Sequence, residues 1–227
     1  RRNLDCQILL FNNEIYGLTK GQYSPTSRVG TRSPSTPFGS VDRPVTPCAF
    51  ALGSGARFIA RGIDVHKNLP EVLKAAHAHK GASFVEIYQN CVVYNDDVFA
   101  GFTERSVAAD KQLWLKAGEK MLFANGEKGL ALDTERLALK VVPGDDPSVI
   151  VHDPTNRGVA AMLILMPPDS FPVALGVIYE NPAPTFESAV LEQNAAAASG
   201  KKADLQALLS KGQTWQVEKE PRELCCQ

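Results

Sequence analysis

Cys6-Gln-Ile-Leu-Leu-Phe-Asn-Asn-Glu-Ile-Tyr-Gly-Leu-Thr-Lys-Gly-Gln-Tyr-Ser-Pro-Thr26 opens as a continuous apolar run and ends in a glycine-bearing turn. The run from Cys6 to Phe11, closed by Asn12-Asn13, has the pattern of a strand buried on both faces, as in a parallel sheet. Downstream, Pro47 to Gly53 fits a short helix and Arg57 to Ile63 a strand. Leu69 to His79 fits a helix with Asn68 as its cap, Pro70 in the first turn and Gly81 past its end. Ala82 to Gln89 is the next strand. This alternation predicts right-handed crossovers and a parallel α/β sheet flanked by helices, with ligands beyond the carboxyl ends of its strands. Asn13 and Cys91 both fall at such ends. The stretch from Gly17 to Pro47 is rich in Gly, Ser, Thr and Pro, too long for a plain connection, and is expected to cover a ligand.

Beyond Asp97 the pattern changes. Asn125 to Val142 carries mixed short elements, Asp153-Pro154 opens a helix expected to run to Met166, and Phe171 to Tyr179 reads as extended. Phe186 to Ala198 and Ala203 to Leu209 read as helices. The boundaries expected are residues 1–100, 101–182 and a helical tail over 183–227.

The 227 residues carry 24 Lys and Arg against 25 Asp and Glu, a net charge of -1, which supplies no general attraction to nucleic acid. Val159 to Met166, the longest apolar stretch, is far short of the ~18 residues that cross a bilayer. Cys6, Cys48, Cys91, Cys225 and Cys226 are odd in number and irregularly spaced, which argues for a reducing cytoplasm over a disulfide framework. The opening Arg1-Arg2-Asn3 contains no initiator Met and reads as the inside of a longer polypeptide, with an exposed, sticky sheet edge expected as a result.

A strand ending in a side-chain amide, followed by a turn with glycine, hydroxyl and ammonium groups, offers hard oxygen ligands for Mg²⁺ and donors for phosphate oxygens. A lone Asn-Asn before a glycine is more commonly just a turn. The full string from Phe11 to Thr26, however, resembles the second half of the thiamine-diphosphate motif of 2-oxoacid:ferredoxin oxidoreductase β subunits. The resemblance implies that Asn13 gives its side-chain oxygen and Ile15 its main-chain carbonyl to Mg²⁺. It also implies that Tyr16, Gly17, Leu18 and Thr19 form the cofactor-binding turn, the last three lying against the diphosphate, and that Glu14 faces away. Lys20 stands where some relatives carry Gly and is a candidate substrate-binding residue for an anionic group, a solvated loop lysine being the alternative; the resemblance favours a dicarboxylate such as 2-oxoglutarate. Ser24 and Thr26 are candidates for closing the loop, though Ser-Pro-Thr is also common turn chemistry.

Tyr88-Gln-Asn-Cys-Val-Val-Tyr-Asn-Asp96 is the second element of the resemblance. A single Cys after a buried strand is by itself most often a small core residue. The family string makes Cys91 the distant ligand of a [4Fe-4S] cluster, whose other thiolates belong to an amino-terminal part. Four thiolates are required, and this sequence has no CxxC pair. The Gly-Asp-Gly-Asp half of the thiamine motif is likewise not in it.

In that family a 2-oxoacid is oxidatively decarboxylated with thiamine diphosphate, coenzyme A takes the acyl group, and electrons leave through iron–sulfur clusters to ferredoxin. An α subunit supplies the pyrimidine side, and is the implied partner together with ferredoxin. The expected fold is a thiamine-diphosphate-binding α/β fold, here incomplete, with a carboxyl-terminal extension. The resemblance places residues 1–100 in the pyrophosphate-binding domain. A shortened chain that only docks on the α subunit is the alternative. A non-oxidative thiamine enzyme of the acetolactate synthase kind shares the Asn-Asn element but has no use for Cys91. Cys6 and Cys48 read as buried packing residues, Cys225 and Cys226 as a free terminal pair. His66, His77, His79 and His152 have no ligand spacing and are given no catalytic role.

Overall fold

The computed structural model describes residues 1–200, 202–215 and 217. Gln7–Asn12 forms β1, Phe58–Ile63 β2 and Ser83–Tyr88 β3, with helix α1 over Pro47–Gly53 and α2 over Leu69–Ala78 between them. β1 pairs with β3, and β3 with β2, all parallel. The parallel α/β arrangement read from the alternation is therefore present. Val173–Glu180 (β8) joins antiparallel to β2, and Gln112–Leu115 (β4) pairs parallel with β8, giving the order β1-β3-β2-β8-β4. The sheet is thus mixed beyond its parallel core.

Every residue of β2 is buried, and its side chains alternate between two cores. On one face, Ile59 packs with Cys48 and Leu52 of α1 and with Leu163 of α5 (Arg157–Ile164). On the other, Phe58 and Ala60 pack against Val72 and Ala76 of α2. A small antiparallel sheet of β5 (Leu122–Phe123), β6 (Lys128–Asp133) and β7 (Ala138–Pro143) extends the first core through Phe123, Leu130 and Leu139. The helices α3 (Ala100–Thr103) and α4 (Arg105–Lys111) lead into β4. Phe186–Ala198 forms α6; from Val190 onward the chain makes a separate unit, in which Leu205–Leu209 is α7 and Asp204 caps it by accepting from the Ala207 amide at 2.9 Å.

Several expectations need correction. β1 is not buried on both faces: it is an edge strand, and Ile8, Leu9 and Phe11 are exposed, Phe11 by 55%. α1 and α2 pack on β3 and β2. Cys6 is exposed for the same reason, in the turn that enters this edge. Asn68 begins α2 without a side-chain cap bond; its amide donates instead to His66 Nδ1 at 3.2 Å. Helix α5 starts at Arg157 rather than at Asp153, because Asp153 Oδ1 is taken up by the Thr155 amide and hydroxyl in a local turn. Asn156 caps it, accepting from the Val159 amide at 3.1 Å. Cys225 and Cys226 lie outside the described residues.

Candidate functional site

Because β1 and β3 pair in parallel with Asn12 opposite Tyr88, the segments that follow them leave the sheet side by side. After β1 the chain turns tightly. The Tyr16 amide donates to the Gln22 carbonyl at 2.8 Å, the Gly21 amide to the Tyr16 carbonyl at 3.0 Å and the Lys20 amide to the Gly17 carbonyl at 3.0 Å. Thr19 Oγ1 donates to the Tyr16 carbonyl at 3.3 Å. The amides of Gly17, Leu18 and Thr19 make no hydrogen bond among the described residues, and Leu18 is 99% exposed. Three successive N–H groups left free at a turn form the kind of concavity that holds phosphate oxygens.

The neighbouring segment closes on this turn. The Asn95 amide donates to the Cys91 carbonyl at 2.9 Å, making a small loop. Asn95 Nδ2 then reaches the carbonyl of Asn13 at 2.9 Å. Tyr94 lies against the turn: a Cβ placed on Gly21 would sit 3.1 Å from Tyr94 Cδ1. With Gly21 at φ +93°, both its backbone and its missing side chain are required there. Asn13 and Cys91, which the sequence put at two strand ends, thus belong to loops bonded to each other.

Asn12 and Asn13 have opposite surroundings. Asn12 is buried; its Nδ2 donates to Glu86 Oε1 at 2.9 Å, and its Oδ1 accepts from Thr26 Oγ1 at 2.8 Å and from the Glu14 amide at 3.2 Å. The Asn13 side chain and the Ile15 carbonyl take no hydrogen bond among the described residues, so both oxygens, of the hard kind that divalent cations take, are left available to a ligand. Glu14 turns to the Asn12 side and pairs with Arg28 at 2.9 Å, and burial raises its carboxyl pKa against the lowering effect of Arg28. Lys20 is exposed at φ +62°, a conformation that favours glycine. Ser24 is buried, its amide donating to Ser27 Oγ at 2.8 Å, and Ser27 Oγ bonds the Glu14 carbonyl. The long loop is therefore folded on its own hydroxyls.

A cavity of about 690 Å³ is lined by Asn12, Glu14, Arg28, Arg61, Glu86 and Tyr88 among others. Its buried charges went unnoticed in the sequence. Arg61 Nε meets Glu86 Oε2 at 2.9 Å, and Cys48 Sγ donates to the same oxygen at 3.3 Å. Burial raises the Cys48 pKa and keeps it a thiol; it is a bonded member of this cluster as well as a packing residue. Burial opposes the charge on Arg61, and the bonded Glu86 carboxylate favours it. In the sequence, Arg61 and Glu86 each interrupt a buried strand, and that was the available signal. Three of the four histidines make packing or hydrogen-bond contacts: His79 is buried beside Glu180, His66 stacks on Trp114, and His152 Nε2 donates to the Val177 carbonyl at 2.8 Å, while His77 is exposed. Among the described residues, no three His, Cys, Asp or Glu side chains gather to hold a metal.

Residues 1–87 match the family described as thiamine pyrophosphate enzyme, C-terminal TPP binding domain. The chain is 40% identical to the 2-oxoglutarate oxidoreductase subunit KorB of Mycobacterium tuberculosis over 96% of its length and 61% of the relative's. This chain is similar in sequence to β subunits of 2-oxoacid:ferredoxin oxidoreductases. A β subunit from Aeropyrum pernix is 47% identical over 45% of this chain and 32% of its own. A solved structure described as 2-oxoglutarate:ferredoxin oxidoreductase from Magnetococcus marinus, with 2-oxoglutarate, coenzyme A and succinyl-CoA bound, superposes with a TM-score of 0.66. It covers 94% of this chain and 60% of that one at 24% identity, and so speaks to the fold. The chain spans about three-fifths of the length of the KorB relative. No helix among the described residues is long and apolar enough to cross a membrane.

Proposed function

We propose that the protein to which this chain belongs is the β subunit of a 2-oxoglutarate:ferredoxin oxidoreductase. It converts the 2-oxoacid and coenzyme A into succinyl-coenzyme A and CO₂ and passes the electrons to ferredoxin, working with an α subunit. The observation that carries the reading is the turn after β1, where the free amides of Gly17, Leu18 and Thr19 stand beside an unbonded Asn13 side chain. The similarity to KorB supports the same assignment.

Asn13 Oδ1 and the Ile15 carbonyl are assigned to Mg²⁺, and Tyr16 through Thr19 to the diphosphate. Thiamine diphosphate, when bound, supplies the carbon nucleophile and electron sink for decarboxylation. Lys20 is assigned to the distal carboxylate of the substrate: a lysine kept at φ +62° where glycine would be unstrained points to use of its ammonium. Cys91 is assigned as one thiolate of a [4Fe-4S] cluster completed by cysteines from outside this sequence. Residues 1–100 make the pyrophosphate-binding part, residues 101–182 pack on it, and residues 183–227 form a tail.

The test uses the complete β subunit assembled with its α partner. With 2-oxoglutarate, coenzyme A, Mg²⁺ and thiamine diphosphate, the complex should reduce a viologen dye. If no 2-oxoacid supports reduction, the enzyme assignment fails.

A further inference from the structure

Glu86 is almost completely buried, and as a carboxylate it can only accept hydrogen bonds. It therefore forces the Asn12 amide to turn its Nδ2 inward, at 2.9 Å from Oε1, which leaves Oδ1 facing outward. That oxygen receives the Glu14 amide at 3.2 Å and the Thr26 hydroxyl at 2.8 Å. With the Asn12 amide reversed, an NH₂ would face the Glu14 N–H, and the turn would lose its tie. The tie matters because Glu14, between Asn13 and Ile15, holds φ +55°. A left-handed non-glycine residue is strained and persists only where its surroundings fix it. Arg61 at 2.9 Å and Cys48 at 3.3 Å hold the other carboxylate oxygen and fix Glu86 itself.

We propose that Glu86 is a positioning residue for the divalent cation, acting through the orientation of the Asn12 amide to keep the strained Asn13–Ile15 turn in its ligand-presenting form. The inference rests on the assignment of Asn13 and Ile15 as cation ligands. A residue that orients ligands from behind typically alters metal affinity by roughly 10- to 100-fold when changed.

The test is Mn²⁺ titration, followed by electron paramagnetic resonance, of the assembled α–β complex stripped of divalent ions and supplied with thiamine diphosphate. Urea midpoints are recorded in parallel. Glu86→Gln should weaken Mn²⁺ binding by roughly 10- to 100-fold, since its amide must oppose either Asn12 Nδ2 or Arg61 Nε with a second donor. The double variant Asn12→Asp/Glu86→Gln reverses the polarity of that one hydrogen bond while keeping every partner and the total charge, and should recover most of the affinity. Wild-type affinity in Glu86→Gln overturns the proposal. So does a double variant with a wild-type urea midpoint that stays as weak as the single. If Glu86→Gln does not assemble, the double variant decides alone: near-wild-type affinity supports the proposal and weak binding overturns it. Asn13→Ala separates the two levels. If it binds Mn²⁺ like wild type, the ligand assignment falls and the positioning role with it; if it loses Mn²⁺ while Glu86→Gln does not, only the positioning role falls.

Discussion

Asn95 Nδ2 donates to the main-chain carbonyl of Asn13 at 2.9 Å, across 82 residues of sequence. The contact ties the loop proposed to bind diphosphate to the loop proposed to bind iron, so ordering one orders the other. Asn95→Ala removes one hydrogen bond worth about 1 kcal/mol, or roughly a fivefold loss of thiamine diphosphate affinity. Asn95→Asp should be worse than alanine, because a carboxylate would face a carbonyl oxygen. Fluorescence titration of the assembled complex with the cofactor measures both; an aspartate variant that binds better than alanine contradicts the tie.

Gly21→Ala meets two obstacles, a φ of +93° and Tyr94 Cδ1 at 3.1 Å from the new methyl. The strain should cost about 1 kcal/mol or more and lower the thermal midpoint. Adding Tyr94→Ala relieves the contact but not the backbone conformation, so the midpoint should recover only in part.

Cys91→Ala in the assembled complex should abolish the brown colour and the low-temperature paramagnetic signal of one reduced four-iron cluster. Retention of the full signal would remove Cys91 from the ligand set.

Arg61→Met strands the Glu86 carboxylate in the core, and breaking a buried pair from one side costs about 3–5 kcal/mol. The urea midpoint should fall sharply. Arg61→Met/Glu86→Gln removes the stranded charge and should regain part of that loss.

His152 is buried, and desolvation holds its pKa below the usual 6.5 despite the Val177 carbonyl and Asp153, which favour its charged form. As pH falls, the unfolded chain takes up the proton first. Stability is therefore full above about pH 6.5 and declines as the pH drops through the lower folded value. His152→Gln should flatten this decline in urea midpoints measured from about pH 8 to about pH 5.

Much of this structure was legible in local pattern. Pro47–Gly53 and Phe186–Ala198 were read with their observed limits, and β2 and β3 within a residue of theirs, because each has a turn signal at both ends. The mixed character of the sheet was not legible: Phe171 to Tyr179 reads as extended, but strand direction is decided by pairing across more than 100 residues. The exposure of β1 was hidden because an apolar run says nothing of what covers it. For the site, the string from Asn13 to Lys20 marked the turn whose Gly17, Leu18 and Thr19 amides stay unbonded among the described residues. Arg61 and Glu86 were overlooked because a charge within a buried strand gains its meaning only from its partner.

Asn12 and Asn13 are chemically the same residue, and nothing in their composition says which should point inward. Strand parity decides. β1 is in step with β3 from Gln7 opposite Ser83 to Asn12 opposite Tyr88, which delivers Asn12 to Glu86 and leaves Asn13 outside. A slip of one position would exchange their fates. Inserting or deleting a single residue within Gln7–Asn12 should therefore do more harm than replacing either asparagine, since it reverses which amide is withheld and which is offered.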